Sequence, residues 1–264
     1  MTKSFFDIES NQFDTVNLLH KSFRVLPFSF KNLWAYLKIA LPINRCKWID
    51  SSADTNNPPD FYSDKYKLMC DFMRVDEYEQ KKGVNPALAH EREVINDLPI
   101  EGDCTVFLVP DGTKLFGMQH DYEMYLKMID RVLMQHNKRV RAYNNNHPGF
   151  KSIFVVFDES SLYVEAYRHY EREELAYGMP FKAKRMHKPY RDNNILNLIS
   201  KLDCDYILWV NPFKRTNRSM SKSGRSFKIP SIALIEVKRV NKIKCISYNS
   251  SLLISTEDNA PKTL

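Results

Sequence analysis

The stretch "DYILWVNPFKRTNRSMSKSGRSFKIPSIALIEVKRV" (Asp205–Val240) decides how the chain is read. It begins with a short apolar run, DYILWV (Asp205–Val210), and closes with another, SIALIEVKRV (Ser231–Val240). Both have the length and the branched, aromatic content of buried strands. Between them lie Asn211–Pro230, with six basic residues (Lys214, Arg215, Arg218, Lys222, Arg225, Lys228) and no acidic one. A purely cationic loop hung between two buried strands raises two expectations at once: a hairpin-built sheet, and a surface that seeks negative charge.

Working outward, the same alternation of strand runs and turn signals recurs. Ile153–Phe157 and Leu162–Arg168 read as a second hairpin about the turn formers DESS, and "CTVFLVPDGTKLFGM" (Cys104–Met118) as a third about Asp111-Gly112. Ile243–Tyr248 reads as a last strand. Helical spacing marks Phe30–Leu41, stopped by Pro42, and Asp121–Val140, whose Tyr122, Tyr125, Leu126, Ile129, Leu133 and Val140 share one side. Further helices are expected over Tyr62–Lys82, from the Asn85 cap with Pro86 in the first position, over Glu171–Tyr177, and from an Asp192 cap to Leu202. The predicted class is α+β: a mostly antiparallel sheet of hairpins flanked by helices, with a helical N-terminal region. The turn-rich "DSSADTNNPPD" (Asp50–Asp60) divides an N-terminal arm, 1–60, from an α+β domain, 61–256, with 257–264 as a tail.

Composition bounds the function. Of 39 basic and 32 acidic residues, 16 and 4 fall within 181–245, so that third carries +12 and the remainder −5. Such asymmetry suits a polyanionic partner. Only 7 of 264 residues are glycine, which weighs against the close backbone approach used by nucleotide-cradling enzymes. No apolar run is long enough to cross a bilayer, and the first residues, with two acids by position 9, lack the pattern of a signal peptide. The five cysteines (Cys46, Cys70, Cys104, Cys204, Cys245) are widely spread with no C-x-x-C pair, favouring free thiols and an intracellular, non-secreted protein.

The sharpest catalytic pattern is Asp205 on one strand with Glu236 and Lys238 on the next. Residues i and i+2 of a strand share a face, so Glu236 and Lys238 would stand side by side with Asp205 nearby. Two carboxylates can hold Mg²⁺ while a lysine helps activate water at a phosphodiester. Over 205–238 this resembles the restriction-endonuclease-like nuclease family, an acid followed by an acidic-x-Lys strand. The resemblance implies Asp205 and Glu236 as metal ligands, and catalysis by Asp205, Glu236 and Lys238. Two departures stand beside it: the inserted basic loop, and a turn into another strand where the family has a helix. "HEREV" (His90–Val94) lacks the second histidine of a zinc-protease helix, and the seven histidines are dispersed. Asp158-Glu159 reads as part of a turn.

The loop is the stronger signal. Its cations alternate with Ser, Thr and Asn, which donate to phosphate oxygens. The connector Lys182, Lys184, Arg185, Lys188 and Arg191 extends the patch. The expectation is therefore a non-enzymatic binding or assembly protein, of the kind found in viral or phage particles. Its basic C-terminal face, chiefly the six loop cations with Lys184 and Arg185, would hold a nucleic-acid backbone or an acidic protein surface. Homo- or hetero-oligomers would form through the N-terminal region. No cofactor is expected; Mg²⁺ enters only with the nuclease reading, which is the alternative.

Overall fold

The computed structural model describes residues 9–52, 59–75, 121–170, 182–212 and 229–255. In chain order the elements are α1 (Glu9–Leu19), β1 (Phe23–Leu26), α2 (Phe30–Ala40), β2 (Ile49–Asp50), β3 (Phe61–Ser63), β4 (Leu68–Val75), α3 (Tyr122–Asn146) and β5 (Lys151–Asp158). They continue as β6 (Tyr163–Ala166), β7 (Ala183–Met186), α4 (Asn193–Ile199), β8 (Tyr206–Val210), β9 (Ile232–Glu236) and β10 (Leu253–Ser255). Short 3₁₀ turns fill Pro42–Lys47, Pro189–Arg191, Val237–Lys242 and Ser250–Leu252.

Seven strands form one sheet in the order β1-β9-β8-β5-β4-β3-β2, and β10-β6-β7 form a small antiparallel sheet. The class is α+β, as the element pattern indicates, but the large sheet is mixed rather than mostly antiparallel. β4, β5 and β8 run parallel, and so do β1 and β9, while β8–β9, β3–β4 and β2–β3 are antiparallel. The hairpin expected of Ile153–Phe157 and Leu162–Arg168 does not form: β5 pairs with β4 and β8, and β6 leaves for the small sheet. The physical reason is burial. From Ser152 to Asp158 every residue of β5 is buried, so the strand needs neighbours on both edges and cover on both faces.

The sheet separates two cores. On one face Phe154, Val156, Ile207, Trp209, Ala233 and Ile235 pack under α3, α4 and the small sheet. On the other, Cys70, Phe72, Val155, Leu208, Ile232 and Leu234 pack against Phe13 and Val16 of α1 and Tyr36 and Ile39 of α2. The alternation along β8 and β9 follows the period of the pleat.

Both long helices are read correctly from local signals. Ser29 caps α2, its Oγ accepting from Asn32 N, and the helix ends before Leu41-Pro42. Asp121 caps α3, which runs six residues past Val140 to Asn146. There Gly149, at φ +82°, turns the chain into β5.

Tyr62–Lys82 is not helical where it is described: it forms β3 and β4, because "LMCDFMRV" is an apolar run buried on both sides rather than a one-sided stripe. The strand expected over Ser231–Val240 stops at Glu236 and gives way to a 3₁₀ turn. Ile243–Tyr248 forms no strand, only a bridge from Ile246 to Asp192. The Asn85 helix, the Asp111-Gly112 hairpin, the 171–177 helix and the tail lie outside the described residues.

The N-terminal region is built into this core. β1 is an edge strand on β9, and Phe13, Val16, Leu19 and Val25 are buried. At about 1.5–3 kcal/mol for each large buried side chain, these four alone match a large part of a typical net stability of about 5–15 kcal/mol. Deleting residues 1–26 is therefore expected to abolish the cooperative thermal transition seen by circular dichroism. An unchanged transition would mean that the segment is an appended arm.

Candidate polyanion-binding site

The residues that lead from β7 to α4 are held by a buried knot. Asp192, fully buried, caps α4 by accepting from Asn194 N at 2.8 Å. Its Oδ2 accepts from Tyr122 of α3 at 2.5 Å and contacts Nε2 of the buried His187 at 2.6 Å. Tyr248 adds a second tie: its hydroxyl donates to Met186 O and accepts from Lys188 N. The turn Lys188–Arg191 is thus pinned at both ends, and its two cations project from a fixed frame.

Arg24 of β1 completes the set. Its charge and that of Arg191 reach both Lys188 and Tyr190. Partial burial, followed by repulsion from Arg191 and Arg24, holds the Lys188 ammonium below its usual pKa. Among the described residues none of Arg24, Lys188 and Arg191 has an acidic partner, and Nε of Arg191 is buried without a hydrogen-bond acceptor. Three cations gathered at a mutual cost, with a guanidinium N–H left unsatisfied, have the chemistry of an oxyanion site.

The base of the basic loop is stitched to the same strand. Asn211 N donates to Ser231 O at 2.7 Å, closing the loop's neck. Ser231 N then donates to Ser22 Oγ at 3.2 Å, and Ile232 N to Ser22 O at 3.0 Å. Arg24 lies two residues along β1 from that stitch. Lys214, Arg215, Arg218, Lys222, Arg225 and Lys228 themselves lie outside the described residues.

The other two expected binding residues pair internally with Glu165. Arg185 forks onto Glu165, donates from Nη2 to Ser247 O at 2.6 Å and lies 4.7 Å over the Tyr248 ring. Lys184 Nζ stands 3.5 Å from the same carboxylate. Burial works to raise the pKa of Glu165, but the Arg185 and Asn249 hydrogen bonds and the two positive charges outweigh it and hold the carboxyl below its ordinary range. Arg185 belongs to the framework, while Lys184, its side chain about half exposed, lies at the rim of the same pair.

The candidate catalytic trio is not brought together. Register places Tyr206 opposite Glu236, on the face with Leu208 and Leu234; Asp205, one residue earlier, projects from the opposite face. Asp205 is held by Lys151 Nζ at 2.7 Å and by Ser152 N at 3.1 Å. Glu236 accepts from Asn32 at 2.8 Å and Arg239 at 3.2 Å. Lys238 falls in the 3₁₀ turn, so the same-face relation of a strand does not apply to it. No three metal-binding side chains cluster among the described residues. Asp158 is the last residue of β5 rather than part of a turn: its carboxylate accepts from Tyr125, Trp209 and Ser160, while Glu159 just beyond it pairs with Arg74.

A second titratable group sits under α3, away from the sequence-derived candidates. Asp60 lies against Asp71 across the β3–β4 pair and accepts from Phe72 N, while Asp71 contacts His136 Nδ1 at 2.7 Å. Burial first, then the Asp71 charge, pushes Asp60 up to about 8. Nearby, burial of the Tyr143 hydroxyl together with the Asp71 charge raises it to about 12.

Comparison with protein-family profiles, with curated proteins and with solved structures yields no match for this chain. The functional reading rests on the site itself.

Two outcomes follow. Because Asp60 binds its proton more tightly in the folded chain than in the unfolded one, its contribution is full below pH 4 and is lost as pH rises through about 8. Asp60→Asn should therefore flatten the fall in melting temperature between pH 6 and pH 9; an undiminished fall would assign it to other groups. Arg185→Ala, by removing the forked donor to a buried carboxylate that keeps Lys184 and Asn249 N, should cost about 2 kcal/mol in urea unfolding.

Proposed function

We propose that this protein binds the phosphate backbone of nucleic acid, without base readout and without catalysing a reaction on it. The observation that supports the reading most strongly is the unpaired trio Arg24, Lys188 and Arg191. Burial first, and then repulsion from Arg191 and Arg24, lowers the pKa of Lys188, so its charge is held at a cost in the free protein. It is stabilised when an anion arrives, and phosphate oxygens suit guanidinium and ammonium donors alike. The neck of a loop carrying six further cations opens beside Arg24, so a run of phosphates can be followed over more than one contact. No helix among the described residues is long and apolar enough to cross a membrane.

The trio joins β1 to the turn Lys188–Arg191, and its phosphate contacts carry no base identity. Affinity is therefore set by counterion release, with log K falling by about 0.9 per neutralised phosphate for each unit of log[salt]. The separation of Asp205 from Glu236 supports binding over cleavage.

The test is a salt titration of oligonucleotide affinity by fluorescence anisotropy, repeated with EDTA. Arg24→Gln/Lys188→Gln/Arg191→Gln should weaken binding and shrink the salt slope by about 3. Replacing the six loop cations by Gln should shrink it by roughly 5. Arg185→Ala should leave the slope unchanged, and EDTA should have no effect. Affinity indifferent to salt and to the trio would refute the proposal, and metal-dependent cleavage lost in Glu236→Ala would replace it with the nuclease reading.

A further inference from the structure

Three aromatic side chains stand in the open at the start of α2. Phe28, Phe30 and Trp34 are 64%, 77% and 64% exposed. Phe28 and Phe30 lie edge to face with centroids 6.0 Å apart, and Trp34 follows Phe30 by four residues, on the same side of the helix. A core does not account for them, since α2 already buries Ala35, Tyr36, Ile39 and Ala40 against the sheet. Exposing three neighbouring large rings is costly unless something covers them.

The chemistry around the rings says what covers them. Phe28 lies four residues beyond Arg24, roughly 13 Å along an extended chain. Lys31, exposed, is on the first turn of α2 between the rings. Asn32 ties that turn to Glu236, which also receives Arg239, so the turn Val237–Lys242 with exposed Lys238 lies at the same end of the sheet. Neither Lys31 nor Lys238 has an acidic partner among the described residues. An apolar protein surface is poorly matched to such a rim. A chain of bases joined by phosphates matches both parts: each base has a face to stack, and each link has a charge to neutralise.

We infer that the ligand is single-stranded nucleic acid, with bases stacked on Phe28, Phe30 and Trp34 beside Lys31, and the strand continuing round the β1 edge to Arg24, Lys188 and Arg191 on the other face of the sheet. The inference rests on the backbone-binding reading and narrows it. In a duplex the base faces are occupied by their neighbours, so the rings have nothing to take. Stacking is tolerant of base identity, in keeping with the absence of base readout.

Trp34 makes the test specific. It is the exposed tryptophan, whereas Trp48 and Trp209 are 6% and 0% exposed, so quenching of tryptophan emission by a ligand reports on α2. The probes are a 12-nucleotide oligo(dT) and a 12-base-pair duplex, titrated into the full chain. Oligo(dT) should quench the emission and the duplex should not. Phe30→Ala/Trp34→Ala should weaken oligo(dT) by about 10- to 100-fold, leave duplex affinity within about twofold, and keep the salt slope of the parent. The exposure of both side chains makes a folding defect a weak confounder, and a matched thermal transition checks it.

Equal loss for both probes, or no loss for either with the salt slope intact, overturns the single-strand inference while the backbone-binding proposal stands. Failure of wild-type protein to bind either probe overturns both. If native mass spectrometry shows a dimer that Phe30→Ala/Trp34→Ala converts to monomer without changing oligo(dT) affinity, the rings form a contact between copies and the inference falls.

Discussion

The antiparallel register of β8 on β9, with Tyr206 opposite Glu236, is the constraint from which the rest of the molecule follows. It assigns alternate residues of both strands to two cores, and a slip of one residue would turn every one of them to the wrong face. It closes the neck of the basic loop at Asn211 and Ser231. It also leaves the far edge of β9 open, and β1 takes that edge in parallel. Arg24 reaches the turn Lys188–Arg191 only because β1 is there.

Charge in the C-terminal third divides into two populations with different roles. Arg185 and Lys184 neutralise Glu165, and Arg239 neutralises Glu236; Arg185 and Arg239 are framework, and losing Arg185 removes the forked donor to a buried carboxylate. Arg24, Lys188 and Arg191 repel one another and have no acidic partner among the described residues. Formal charge cannot separate the two populations, because it counts residues and not partners. The distinction is one of desolvation: a buried cation is held by its counter-ion, whereas the half-exposed cluster has none among the described residues.

Much of the local structure was legible in the sequence. Helical spacing with the proline at 42 located α2, the stripe along Asp121–Val140 located α3 and the Asp192 cap located α4, since capping and helical spacing act over a few residues; the side of α2 that is buried, Ala35, Tyr36, Ile39 and Ala40, was not legible. The short apolar runs at 206–210 and 232–236 were visible as strands for the same reason. Tyr62–Lys82 misled, because a strand buried on both faces, such as β4, shows no alternation and imitates a helix of similar apolar content. The second hairpin misled too. A turn such as DESS, held by Asp158 and Ser160, redirects the chain without requiring that the strands on either side pair.

By itself the sequence determined the class of fold, the places of its long helices, the Asp192 cap and the excess of positive charge in its last third, all properties of composition and near neighbours. Tertiary structure alone decided that the large sheet is mixed, that Asp205 and Glu236 face apart, and that Arg24 joins Lys188 and Arg191. It also left Phe28, Phe30 and Trp34 exposed at the start of α2. These are outcomes of tertiary pairing, between neighbours such as β8 and β9 as well as between β1 and β9 at opposite ends of the described chain, set by which edges and faces remain open once the central strands are buried.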